Sequence, residues 1–305
     1  MENTNRKSSI TGRRSPFSSD SIMPKVLLLI AAISVLTTVG IVFVLVEESF
    51  KFFAQVPFLE FITGTKWTPL FSDPHYGVLP LVVGTMLITV IASVVALPLG
   101  LGSAIYLSEY APARVRAFLK PVLEILAGIP TIVYGFFALT FVTPLIQAIL
   151  PQTKVFNALS AGIVVGIMII PMISSLSEDA MSAVPNSLRN AAYALGATKL
   201  EVALQVVVPA AFSGIVASFV LGLSRAVGET MIVTLAAGAL PSMSINPLQS
   251  VQTLTAYIVS VASGDTTFGS AQYLTMYSVG FVLFVITLLM NILAGYISRK
   301  FREEY

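Results

Sequence analysis

Long uncharged runs alternate with short polar, mostly basic segments along this chain. Val26–Val46 contains no charged residue, and neither do Val78–Ser108, Ile125–Thr153, Val155–Ser177 and Thr266–Ser298. Each matches or exceeds the ~20 residues that cross a ~30 Å hydrocarbon core as a helix. A sixth stretch, Ala210 to about Leu240, is equally apolar but carries Arg225 and Glu229. Helices satisfy their own backbone polar groups in lipid, so the pattern predicts an all-α integral membrane protein with six transmembrane helices. Leu248–Ser263 is too short and too rich in Gln, Ser and Thr to be a seventh span. It is expected to be an amphipathic helix in a loop.

The runs also divide the chain. Residues 1–25 are polar and Ser-rich and read as a disordered tail. Arg13-Arg14 ahead of an apolar run suggests an export signal. The run that follows holds 21 residues, however, longer than the ~7–15 of a signal core. Residues 26–77 are then a first span and an outer loop, 78–298 a core transmembrane domain, and 299–305 a second tail. Pro130 and Pro171 are candidate kinks or breaks in their spans. Gly162-x3-Gly166 and Gly222-x3-Ala226 predict close helix approach.

Charge sets the orientation. With the N-terminus inside, the inner segments carry Arg6, Lys7, Arg13, Arg14, Lys25, Arg114, Arg116, Lys120, Arg189, Lys199, Arg299, Lys300 and Arg302, which is 13 residues. The outer segments carry Lys51, Lys66 and Lys154, which is 3. The positive-inside rule therefore predicts six crossings with both termini cytoplasmic. Arg114, Arg116, Lys120 and Glu109 read as a solvated inner loop.

Composition narrows the chemistry. Of 305 residues 56% are hydrophobic and 10% charged, against ~25% charged in a soluble domain. There is no cysteine and one histidine, His75, in the loop Asp73-Pro74-His75-Tyr76-Gly77. Disulfides, zinc clusters and cysteine nucleophiles are excluded, and a catalytic role is not expected. No G-x-x-x-x-G-K-[ST] loop is present, so any ATP driving this protein is hydrolysed by another chain.

The longest inner loop lies between the fourth and fifth spans. Its sequence, Val184-Pro185-Asn186-Ser187-Leu188-Arg189-Asn190-Ala191-Ala192-Tyr193-Ala194-Leu195-Gly196-Ala197-Thr198, predicts a short helix, a glycine turn and a second helix entering the membrane. Asn186 or Ser187 is the expected N-cap, and Gly196 the residue past the C-terminus. Leu188, Ala191, Ala192 and Leu195 are expected on one face.

This loop resembles the EAA loop of bacterial ABC importer permeases, E-A-A-x3-G-x9-I-x-L-P. Asn190-Ala191-Ala192 takes the triplet, Gly196 the glycine, and Val206, Val208 and Pro209 the closing positions. Asn190 replaces the glutamate. The resemblance implies a type I ABC permease fold in which residues 186–209, with Asn190, Ala191, Ala192, Gly196 and Pro209, dock an ATPase subunit.

The second candidate constellation is Arg225 with Glu229. At i and i+4 of one helix the two would share a face and neutralise each other in part. Ionisable groups at such depth face a pathway or a partner helix. A planar guanidinium suits a tetrahedral oxyanion, so an anion site or gate is one reading and a structural ion pair the other. The string Leu223-Ser224-Arg225-Ala226-Val227-Gly228-Glu229-Thr230-Met231 is similar to the R-A-x-G-E-T-M signature of the PstC-type phosphate permease family. Gly128–Phe137 and Ser175–Ala180 with Val184-Pro185 are similar to further stretches of that family.

What the resemblance implies is a permease subunit for inorganic phosphate in the bacterial inner membrane. Its implied partners are a PstA-type permease, PstB-type ATPases and an external PstS-type phosphate-binding protein. ATP and Mg would sit on the ATPase, with no cofactor on this chain. A permease for another oxyanion or a phosphonate and a stand-alone secondary anion transporter or channel are the alternatives. A membrane enzyme is disfavoured by the absent Cys and the single His.

Overall fold

The computed structural model describes residues 19–300, with side chains from Ile22 onward. The chain divides into two units at Glu47–Glu48. The described part of the first unit belongs to helix α1 (Ser19–Phe53). Its residues 22–41 are exposed on every side, as an apolar helix is when lipid rather than protein is its surroundings. The helix begins at Ser19, so the expected tail 1–25 is too long at its end: Ser19–Lys25 are helical. Residues 1–18, and 301–305 of the second tail, lie outside the described residues.

The second unit is also helical. After α2 (Phe58–Thr63) come α3 (Leu79–Ile105), which runs on through a π-helical turn Tyr106–Tyr110, and α4 (Ala113–Ala127). Next, α5 (Thr131–Phe137) and α6 (Thr143–Ile149) are joined through a π-helical turn into one span. The central helix is α7 (Ala158–Ser182), followed by α8 (Asn186–Ala194). Then α9 (Lys199–Glu201) and α10 (Val208–Ala210) flank a third π-helical stretch, and α11 (Phe212–Val227) follows at a 73° bend. The chain finishes with α12 (Met231–Ala236), α13 (Leu254–Ala262) and α14 (Ala271–Lys300). Five of the described helical runs are long and apolar enough to cross a membrane, or six when the bent pair counts as one.

Small residues set the packing around α7. A Cβ on Gly162 would lie 2.7 Å from Ile91, and one on Gly166 2.9 Å from Val95. Ile173 likewise fills the space beside Gly100 and Gly222. Contacts 88–91 to 162, 92–95 to 166 and 100 to 173 show α3 and α7 running side by side in the same direction. By contrast α11 runs against α7: Gly214 abuts Ala180, Ser218 Oγ lies 2.6 Å from Ser177 Oγ, and Gly222 abuts Ile173.

At the end of the bundle where α3 and α7 begin, Phe52, Phe61, Trp67, Tyr76 and Tyr257 form an aromatic cluster with ring centroids 4.9–6.2 Å apart. Trp67 pairs with Tyr76 in a β-bridge, and the backbones of Gly64 and Gly77 meet so closely that neither has room for a side chain.

Four expectations change here. Residues 125–127 of the third run belong to α4. Pro130 stands at the entrance to α5, where its missing N–H costs nothing, whereas α7 continues unbroken through Pro171. The fifth span is bent and interrupted. Finally, the segment expected as an amphipathic helix in a loop is helix α13, and it is buried: Leu254, Thr255, Ala256, Tyr257 and Val261 are all enclosed. Its Thr and Ser residues are satisfied internally, Thr255 Oγ1 donating to Glu229 O at 2.6 Å and Ser260 Oγ to Tyr257 O at 2.7 Å.

Candidate functional site: a broken span and a docking loop

Arg225 occupies the last turn of α11. Four residues along α11 correspond to about four back along α7, so Arg225 falls level with Ile170, the midpoint of Ala158–Ser182. Leu221, Arg225 and Gly228 are exposed and lie on one stripe of α11. Beside this stripe, Ser224 Oγ reaches Asn291 Oδ1 of α14 at 3.4 Å.

The expected helical pair with Glu229 does not form. The helix stops at Val227 with Gly228 as its C-cap, so Glu229 leaves the i+4 position. Its carboxylate Oε1 instead accepts the backbone N–H groups of Met231 and Ile232 at 3.0 and 3.2 Å, closing the first turn of α12. Its own carbonyl accepts Thr255 Oγ1 of α13 at 2.6 Å. Glu229 is 7% exposed. No acidic side chain bridges Arg225 among the described residues.

The loop 186–209 folds as expected in outline. α8 ends in a Schellman motif: Gly196 has φ +87°, its N–H donates to Tyr193 O at 3.0 Å, and Ala197 N–H reaches back to Ala192 O at 3.1 Å. A capping box between Thr198 and Glu201 starts the next helix, with Thr198 lowering the Glu201 carboxyl below its usual range. The N-cap of α8 is Pro185, with no side-chain cap from Asn186 or Ser187.

The expected single face also splits. Leu188, Ala192 and Ala197 pack inward against a core of Ala104, Met181, Val184, Val202 and Val207. Asn190, Ala191 and Leu195 face outward, Leu195 at 90% exposure, joined by Tyr193, Leu200 and Leu204. Pro209 lies in α10 just before the bend.

The expected solvated loop is instead ion-paired. Glu178 of α7 is fully buried and receives Arg116 Nη2 and, at 2.8 Å, Lys120 Nζ, both from α4. Lys120 also reaches Asp179 Oδ1 at 2.7 Å, and Asp179 and then Glu178 raise its ammonium above the usual range. Glu109 pairs with Arg189 of α8 at 3.0 Å. Of the residues singled out, Arg114 alone is plainly exposed. The signal available was spacing: Arg116 and Lys120 stand at i and i+4, and Glu178 closes an apolar run.

A family described as "binding-protein-dependent transport system inner membrane component" matches residues 96–303. The chain is 40% identical over 242 residues to the probable ABC transporter permease protein YqgH of Bacillus subtilis, covering 79% of this chain and 78% of that one. It is 34% identical over 300 residues to the phosphate transport system permease protein PstC of Haemophilus influenzae, covering 91% and 90%. Among solved structures, a chain of a bacterial ABC transporter that imports alginate superposes with a TM-score of 0.63 at 14% identity, covering 93% of this chain and 97% of that one. A chain of the MetNI methionine ABC transporter superposes at 0.54 and 19%, covering 74% and 95%. At such identities the superpositions establish the fold of an ABC importer permease. With the family match over two thirds of its length, this chain belongs to the inner-membrane permease components of binding-protein-dependent transport systems.

Proposed function

We propose that the chain is the PstC-like half of an ATP-driven phosphate importer. The observation that carries this reading is the 34% identity to a named phosphate permease across nine tenths of both chains. The local chemistry agrees. An exposed guanidinium without an acidic partner among the described residues, level with the middle of α7, offers a planar fork of donors to an oxyanion. Such a charge costs ~2.5–3.5 kcal/mol or more to place at mid-membrane, so it is retained where a pathway uses it. Glu229 holds the break open from the other side by capping α12, so that α11 ends at Val227 with Arg225 in its last turn.

On this reading the second half of the pathway comes from a PstA-like permease. The outward apolar residues of 186–209, with Asn190, Ala191, Gly196 and Pro209, receive a separate ATPase that carries ATP and Mg, while Ala192 packs beneath them. A phosphate-binding protein approaches the opposite end. On this reading both termini are cytoplasmic, which the 13-to-3 distribution of Lys and Arg supports.

Uptake of radiolabelled phosphate by cells whose only phosphate importer contains this chain tests the reading. Uptake that needs the ATPase and that excess phosphate, but not sulfate, molybdate or phosphonate, suppresses is the expected result. Suppression by another oxyanion reassigns the substrate, and uptake without the ATPase removes the ABC mechanism.

A further inference from the structure

Arg189 is bonded to more of the bundle than any other side chain of the docking loop. Its side chain is 12% exposed and that of Glu109 is 5%. Nε and Nη2 both donate to Glu109 Oε1, at 3.3 and 3.0 Å. Nη2 also donates to Met181 O at 2.8 Å, and Nη1 to Val184 O. Those carbonyls lie at the C-terminal end of α7, where a cation satisfies open acceptors and meets the negative end of the helix dipole. One guanidinium therefore ties α8 to the end of α3 and to the end of α7 at once.

The other inward contacts of α8 are apolar. Leu188 and Ala192 of α8, and Ala197 just beyond it, rest on small and branched side chains, a surface along which a short helix can slide. A guanidinium held by a carboxylate and two carbonyls cannot slide without breaking buried charge-assisted hydrogen bonds. Asn190, the next residue, carries no charge and faces outward. From the end of α7, contact continues to α11 through Ser177–Ser218 and Ile173–Gly222, one turn short of Arg225.

We propose that Arg189, anchored by Glu109, is the positioning residue that carries movement of α8 into α3 and α7 and from there to the break at Arg225. This rests on the reading of α8 as the loop that docks the ATPase. Lysine cannot replace it: a point charge reaches one of these acceptor groups, whereas the fork spans two helix ends.

The test uses the complete transporter in vesicles, with its ATPase and phosphate-binding protein, and reads phosphate taken up per ATP hydrolysed. Arg189→Met is expected to keep the ATPase bound and active while this ratio falls about tenfold, within the range of typical coupling free energies, and Glu109→Gln, whose amide oxygen still accepts but carries no charge, lowers the ratio by less. Arg189→Lys falls nearly as far as Arg189→Met. The double variant is no worse than Arg189→Met alone, because both changes remove the same linkage.

A wild-type ratio in either single variant, or losses that multiply in the double variant, overturns the proposal. If Arg189→Met fails to assemble, Glu109→Gln alone decides. Leu195→Glu on the outward face tests the docking reading separately. A retained ATPase in Leu195→Glu overturns that reading, whereas retained coupling in Arg189→Met and Glu109→Gln overturns only the linkage.

Discussion

Glu178 and Glu229 are both buried carboxylates in apolar helical segments, yet they are satisfied by different groups. Glu178 receives cations from a neighbouring helix, Arg116 and Lys120 of α4. Glu229 receives two backbone N–H groups from the helix it precedes. The first arrangement consumes the cations and ties α4 to α7. The second needs no cation, so Arg225, four residues earlier, is left without an acidic partner among the described residues. A buried carboxylate needs donors, but the identity of the donors decides whether a nearby arginine is left available.

Substitutions at four positions break or sharpen this contrast. The largest effect is expected at Arg225: Arg225→Gln should assemble with its partners but reduce phosphate uptake to background, and full uptake by an assembled variant would remove Arg225 from the pathway. Next is the paired end. Glu178→Ala strands Arg116 and Lys120 and should cost about 3 kcal/mol, the low end for a broken buried pair because both cations are about a third exposed. Thermal unfolding in detergent measures it, and an unchanged midpoint would show that α4 is held by packing alone.

Glu229→Ala loses the cap of α12 at about 1 kcal/mol of stability, and Glu229→Gln loses less because its amide oxygen still accepts. A strong uptake defect in Glu229→Gln with normal stability would mean that the charge, not the cap, matters there. Smallest is Gly196→Ala. The left-handed φ of +87° makes alanine cost about 1 kcal/mol, felt as fraying of α8 and weaker ATPase retention. Normal retention would show that the Schellman turn is not needed to present the outward face.

Much of the architecture was legible in the runs of apolar residues, and the loop 186–209 was legible in its spacing. Gly196 adopts the left-handed conformation expected of it because only local hydrogen bonding is required there. The small residues Gly162, Gly166 and Gly222 sit at close helix contacts, as their spacing foretold. Both kinds of feature depend on residues a few positions apart, which a sequence displays directly.

The charges behaved otherwise. Arg225 and Glu229 stand four apart in sequence, yet the helix between them ends at Gly228 and Glu229 turns to α12, with Thr255 of the distant α13 holding its carbonyl. Arg116, Lys120 and Glu109 look like solvated charge, yet they find partners 58 to 80 positions away. The sequence by itself determined which segments are apolar enough to span a membrane and which turn joins α8 to the next helix. Only the tertiary structure decided which buried carboxylate meets which donor, because those bonds depend on how distant helices pack together.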